Sequence, residues 1–307
     1  MFPAYLLIPA ILIILVSAAA AWFYILYKKA ANDKSNSERR KTLHEIEFFS
    51  NVSHELKTPL SVVLGAIQLI EKKYSSVFSG YPDLYKQFRI IKQNCYKMLR
   101  LTNNILEIAR IDTGNPRLNL ENCNIVYLIE EIVQSVIPYA EQKGLSIEFD
   151  TEEEEIIAAV DMDKIERIIL NLLSNAIKYT KKGDVIKIYV AKKGDYFTIS
   201  VKDNGPGIPE NMQEEIFKRF RQVASHLTRM NEGSGIGLSL AKSFVELHGG
   251  RISLNSKEGE GSEFIVEIPL KLCSTENNNS RSLDKEQSRI IEAVNIEFSD
   301  IYSALSK

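Results

Sequence analysis

Phe49-Ser-Asn-Val-Ser-His54-Glu55-Leu-Lys57-Thr58-Pro59-Leu60 stands inside a longer run whose apolar members recur at helical spacing. Ile46, Phe49, Ser53, Leu56, Leu60, Val63, Ile67 and Ile70 follow one another at alternating intervals of three and four, with one polar member. After a turn around Ser79–Pro82 a second series repeats the pattern with Leu84, Phe88, Ile91, Cys95, Met98, Thr102, Ile105 and Ala109. Each series marks a helix that buries one seam, and two such helices on a short connection form an antiparallel hairpin. One hairpin covers little apolar surface, so pairing of two copies into a four-helix bundle is expected.

Ser53 occupies the seam register, which turns His54 about 100° away from it and onto solvent-facing surface. A neutral imidazole there is a nucleophile, and Glu55 beside it can accept the other ring proton and fix the tautomer. Thr58 lies one turn on, on the same face. Pro59 has no N–H for the carbonyl of Glu55, so a bend or loosening is expected next to the histidine.

These residues resemble the phosphoacceptor box of sensor histidine kinases of the dimerising four-helix type. The resemblance implies that His54 takes a phosphoryl group from ATP with Glu55 as general base and hands it to an Asp of a response regulator. It also implies that Thr58 positions a water for dephosphorylating that regulator.

Four further segments follow in the order of the same family's ATP-binding domain, which is similar to that of gyrase, Hsp90 and MutL. In Asn171-Leu-Leu-Ser-Asn175-Ala-Ile-Lys178-Tyr179-Thr, residues Asn171, Asn175 and Lys178 share one helical face. Carboxamide oxygens suit Mg²⁺, a hard cation; Lys178 can meet phosphate, and Tyr179 can pack near the sugar or base. The resemblance makes Asn175 the leading metal ligand and Asn171 a supporting one. Asp203-Asn-Gly205-Pro-Gly207-Ile208 follows a strand, where the Asp can accept from the exocyclic amine of adenine and the glycines let backbone approach the ring. Ile216-Phe217-Lys-Arg219-Phe220-Arg221 resembles the hinge of the ATP lid, departing from the family in that Arg221 and Gln222 follow Phe220, which leaves open which arginine meets phosphate. Gly233-Ser-Gly235-Ile-Gly237-Leu238 opens a helix, whose first amides can bind phosphate. There is no GxxxxGK[ST] loop and no His-Arg-Asp kinase loop.

Two other readings compete. A hydrolytic ATPase of the gyrase–Hsp90 class would, by resemblance, carry a Glu where Asn171 stands; a non-catalytic scaffold would have lost some of these positions.

The expected fold is therefore a membrane-anchored α + α/β chain: a helical hairpin over 43–113 forming a dimeric four-helix bundle, then a two-layer α/β sandwich over 117–272. Within the sandwich, helices are expected near Ile125–Gly144 and from Asp161, as N-cap, to Tyr179. Strands are expected at Leu145–Asp150, Ile156–Val160, Val185–Ala191, Tyr196–Lys202, Arg251–Asn255 and Ser262–Leu270.

Ahead of the hairpin, Met1–Tyr27 carries no charge and is long enough to span a hydrocarbon core. Trp22, Tyr24 and Tyr27 sit at belt positions, and Lys28 and Lys29 follow. A single-pass anchor at the cell membrane is expected, rather than a cleaved signal peptide, with everything after a 28–42 linker in the cytoplasm. Few residues precede the span, so sensing within the membrane or through a partner membrane protein is expected. Beyond the sandwich, 273–289 reads as a linker, and 290–307 as an amphipathic helix with Ile291, Val294, Phe298, Ile301 and Leu305 on one face. A net charge of −2 without a Lys/Arg block speaks against a nucleic-acid partner. Cys95, Cys123 and Cys273 have neither metal-ligand nor disulfide-framework spacing. His44, His226 and His248 lack the setting of His54 and read as structural or surface residues.

Overall fold

The computed structural model describes residues 38–74, 78, 80–112, 116, 118–221, 234–273 and 283–299. The expected anchor over 1–27 lies outside them, as do most of the 28–42 linker, Gly233 and the end of the C-terminal segment. Among the described residues no helix is long and apolar enough to cross a membrane. The chain divides into two compact units, Met1–Asn115 and Pro116–Lys307.

The first unit is the hairpin, α1 (Glu38–Lys73) against α2 (Pro82–Asp112). Its seam is the one the spacing marks. Leu60, Leu64, Ile67, Phe88, Cys95 and Leu99 are buried, and Ile67, Phe78 and Phe88 form a cluster flanked by Val63, Ile70, Leu84 and Ile91. Burial of the Cys95 thiol pushes its pKa up to about 11. Lys92 pairs with Glu71 across the hairpin at 2.7 Å. Helical structure continues through Pro59 without a break. Leu56, Val63, Ile70, Ile91, Met98 and Ile105 are only half-buried, so a single hairpin leaves part of its seam open.

The second unit is a two-layer sandwich. It starts with β1 (Glu121–Asn124) and α3 (Ile125–Gln142), followed by β2 (Ser146–Thr151), β3 (Ile157–Val160) and α4 (Met162–Tyr179). Then come the hairpin β4 (Val185–Lys193) and β5 (Tyr196–Asp203), two 3₁₀ turns at Glu210–Met212 and Glu215–Phe217, α5 (Gly237–Leu247), β6 (Arg251–Lys257) and β7 (Gly261–Pro269). The main sheet runs β2-β4-β5-β7-β6, with β2 parallel to β4 and the other pairs antiparallel; β1 and β3 form a separate antiparallel pair.

Period-two alternation puts Ile186, Ile188 and Val190 of β4, and Phe197, Ile199 and Val201 of β5, in the core, while Lys187, Tyr189 and Lys202 stay exposed. The same alternation carries Asp203 onto the buried side, two residues past Val201. α4 is buried along most of its length, polar Glu166, Asn171 and Ser174 included, because α3, α5 and a further helix, α6 (Leu283–Glu297), flank it. The C-terminal helix α6 differs from the sequence reading in two details. α6 begins at Leu283, inside the stretch read as linker, and its buried face carries Ile290 with Val294 and Phe298, whereas Ile291 is exposed.

Candidate functional site

His54 is exposed on α1, between the buried Ser53 and the exposed Glu55. Thr58 is exposed on the same face, and its hydroxyl donates to the carbonyl of His54 at 3.1 Å, one turn back. This bond anchors the Thr58 side chain beside Pro59, where the backbone has lost a donor. Val62 and Leu69 are also exposed here, at 67% and 69%, within about 80° of His54 at 100° per residue and opposite the buried seam. A nucleophile, a carboxylate, a hydroxyl and two apolar side chains thus share one accessible helix face.

In the second unit three segments far apart in sequence converge around α4. Asp161 caps the helix start, accepting from the backbone N–H of Lys164 at 3.1 Å. The amide of Asp161 in turn donates to Nε2 of the buried His248 at 3.0 Å, which ties the end of α5 to the start of α4. At the other end, Lys143 donates to the carbonyls of Ile177 and, at 2.7 Å, of Lys178. It thereby takes up helix-terminal acceptors, favourably for a cation at that pole. Burial, then the charge of Lys178, lowers the Lys143 pKa to about 8. Between these clamps Asn171 is buried and Asn175 half-buried, and the Asn175 amide donates to Oδ1 of Asn171 at 3.4 Å. Lys178 is half-buried with its ammonium 5.3 Å from the ring centre of Tyr179, which is exposed.

Asp203 ends β5 with only 6% exposure. Burial raises its pKa, and the backbone amides of Gly205 and Ser262 pull it back; the Gly205 amide lies 2.8 Å from Oδ1. The turn depends on the absence of side chains. A Cβ on Gly205 would come within 2.7 Å of that carboxylate and 3.2 Å of the carbonyl of Tyr179, and one on Gly207 (φ +69°) would strike the carbonyl of Lys257. The amide of Ile208 is held by the hydroxyl of Ser256 at 2.9 Å, and Gln213 donates to the carbonyls of Ile208 and Ser256.

The expected lid hinge is partly described. Phe217 is half-buried, edge-on to Phe264 at 6.3 Å, with the Lys242 ammonium 5.7 Å from its ring centre. Arg219 and Arg221 are exposed, and Arg221 lies 3.5 Å from Glu215. Phe220 is 63% exposed with φ +61°. Its amide donates to the carbonyl of Gly235 at 2.9 Å, so the two ends of the 221–234 stretch meet. Gly237 opens α5, followed by the half-buried Leu238. A Cβ on Gly237 would lie 1.9 Å from Nδ2 of Asn171, so the glycine-rich turn and the asparagine helix are in direct contact.

The site therefore offers a buried carboxylate at a strand end, side-chain amide oxygens, a lysine, and a helix start reached through glycines. That donor set fits an adenine nucleotide with Mg²⁺: an acceptor for an amine, oxygens for a hard cation, and cationic and amide groups for phosphate. His248, Lys143, Ser256 and Gln213 were not singled out as site residues by the sequence. They act through backbone carbonyls and amides of other segments, for which residue spacing gives no signal.

Comparison with known proteins agrees with this assembly. Residues 44–114 match the family model "His Kinase A (phospho-acceptor) domain", and residues 160–272 match "Histidine kinase-, DNA gyrase B-, and HSP90-like ATPase". The chain is 39% identical over 225 residues to the sensor histidine kinase TmoS of Ectopseudomonas mendocina, covering 73% of this chain and 23% of that protein. It is 37% identical over 244 residues to the hybrid signal transduction histidine kinase D of Dictyostelium discoideum, covering 77% of this chain and 16% of that one. Among solved structures, full-length ShkA in complex with AMPPNP superposes with a TM-score of 0.59 at 25% identity, over 75% of this chain and 47% of that chain. The chain thus spans less than a quarter of the length of these two curated relatives. With a phospho-acceptor hairpin and an ATPase sandwich matched in that order, the chain belongs to the sensor histidine kinases of two-component systems.

Proposed function

We propose that this chain phosphorylates its own His54 from ATP and passes the phosphoryl group to an aspartate of a response regulator. The observation that carries this reading is the exposed His54, flanked by Glu55 and Thr58 on a seam-buried hairpin, in a chain that also holds the Asn171–Asp203–Gly237 nucleotide site.

ATP supplies the phosphoryl group, and Mg²⁺ offsets the charge on it. Asp203 accepts from the adenine amine, and its burial keeps water from competing for that bond. Asn175, with Asn171 behind it, offers oxygen to the cation, while Lys178 and the first amides of α5 face phosphate. Tyr179 and Phe220, exposed beside the site, supply apolar surface for the base or sugar. Glu55 takes up the second ring proton of His54, which keeps the attacking nitrogen unprotonated and raises its nucleophilicity. Thr58 serves the reverse task of guiding water to the phosphorylated regulator.

The functional form is a homodimer, because the half-open seam of one hairpin is covered by that of a second copy. The regulator docks on the outer face, where Val62 and Leu69 adjoin His54. Residues 1–27 anchor the chain in the cell membrane with the catalytic units in the cytoplasm, and a membrane partner or the anchor itself receives the stimulus. The support for this is the uncharged span followed by Lys28 and Lys29.

Incubation of the purified protein with γ-³²P-labelled ATP tests the reading. Label that is lost in acid, retained in base and absent from His54→Ala is expected. Undiminished labelling of that variant would refute the assignment.

A further inference from the structure

Helix α6 reaches the nucleotide site. Its apolar side is fully committed, with Ile290, Val294 and Phe298 each at most 4% exposed and the Phe298 ring 5.1 Å from that of Tyr139. Polar contacts fix its register. Arg289 pairs with Asp163 and, at 3.0 Å, with Glu166 of α4, and the Tyr139 hydroxyl meets Asn295 at 3.2 Å. At the end of α6, Oε1 of Glu297 accepts from Nδ2 of Asn171 at 3.2 Å.

That contact has a directional consequence. A carboxylate can only accept, so Asn171 must present its NH₂ to Glu297 and its oxygen elsewhere. The oxygen of Asn171 receives the NH₂ of Asn175 at 3.4 Å. With its NH₂ directed at Asn171, Asn175 has its own oxygen at the opposite corner of the carboxamide. The backbone of Gly237 lies close beside the NH₂ of Asn171, where an added Cβ would stand 1.9 Å from Nδ2.

We infer that Glu297 is a positioning residue for the nucleotide site: through Asn171 it orients the carboxamide of Asn175 so that oxygen, and not nitrogen, faces the nucleotide-bound metal. This rests on the nucleotide reading of the site given above. It assigns a role to the C-terminal helix, which lies beyond the matched 160–272 segment. An amide free to flip would present NH₂ to a cation part of the time and bind it more weakly. Outer-shell partners of metal ligands typically change metal affinity by about 10–100-fold.

The test is the affinity of the full chain for a fluorescent ATP analogue, measured in Mg²⁺ and in EDTA, for wild type, Glu297→Ala and Glu297→Gln. Wild type should bind more tightly in Mg²⁺. Glu297→Ala should lose about tenfold of the Mg²⁺-dependent affinity while its affinity in EDTA, set by Asp203, stays within about twofold. Glu297→Gln, which keeps the shape of the helix end but can donate as well as accept, should lose a smaller part of that gain. It stands in if the alanine variant folds poorly. Unchanged Mg²⁺ dependence in both variants overturns the inference. So does tighter binding in both conditions, which would make Glu297 a competitor for the site. A wild type that binds no analogue in either condition would instead overturn the nucleotide reading itself.

Discussion

The backbone N–H of Asp161 donates to Nε2 of His248 at 3.0 Å, while Nδ1 of the same ring lies 2.7 Å from the carbonyl oxygen of Phe244. An amide can only donate, so Nε2 is an acceptor and the ring proton sits on Nδ1, bonded to Phe244. The ring is thus a neutral bridge between the last turn of α5 and the first of α4, the helix that carries Asn171 and Asn175. Burial is the main reason its pKa lies below the usual histidine value.

Stability should therefore fall as the pH drops through 6.5, the ordinary histidine value, toward the lower value of the folded state. In that window the unfolded chain binds a proton that the native ring refuses. Urea midpoints measured from pH 7.5 downward check this: wild type should lose stability more steeply than His248→Gln. Parallel curves would remove His248 as the cause.

Lys143 supplies the complementary window. Its folded-state pKa is about 8 against an ordinary 10.5, so between these values the unfolded chain binds the extra proton and stability gains from rising pH. Tyrosines titrate in the same range, so the informative quantity is wild type minus Lys143→Met. That difference should grow more favourable to wild type from pH 8 to 10.5, and a flat difference would contradict the assignment.

Gly237→Ala should weaken nucleotide binding by tenfold or more, measured by titration calorimetry. The new methyl would occupy space 1.9 Å from Nδ2 of Asn171 and force the asparagine or the start of α5 to move. Overpacking of this kind costs about 1–3 kcal/mol, so thermal stability should drop as well. Wild-type affinity in this variant would mean that the glycine turn and the asparagine helix do not cooperate.

Leu69→Asp should leave labelling of His54 intact and slow transfer to the regulator by about tenfold, the loss expected when an apolar contact of about 1–2 kcal/mol is removed from an interface. Leu69 is 69% exposed, so the hairpin itself should fold normally. Single-turnover transfer from purified phosphoprotein reads the effect. Equal slowing of both steps would place Leu69 in the kinase reaction instead of the docking surface.

Much of this arrangement was legible in the sequence because it follows from periodicity. The three-four spacing that names Ile67 and Phe88 is the spacing of the buried hairpin cluster, and the two-residue alternation through Val201 delivers Asp203 to the core side of β5. Asp161 caps α4 where an N-cap was expected. Strand β1 was missed because Glu121-Asn-Cys-Asn124 has no apolar alternation and is a strand only through pairing with β3. In α6, the series through Ile291 and the series through Ile290 both include Val294 and Phe298; the face packed on α3 and α4 selects Ile290. The contact of Glu297 with Asn171 joins residues 126 positions apart and leaves no local pattern to read.

The most direct test of the whole account is to locate the phosphoryl group itself. The purified full-length chain, incubated with ATP and Mg²⁺ and digested near neutral pH, is sequenced by mass spectrometry alongside Asn175→Ala. The account predicts a single ATP-dependent phosphorylation on the imidazole of His54, strongly reduced in the Asn175 variant. Phosphate on another residue, with His54 unmodified, would contradict it.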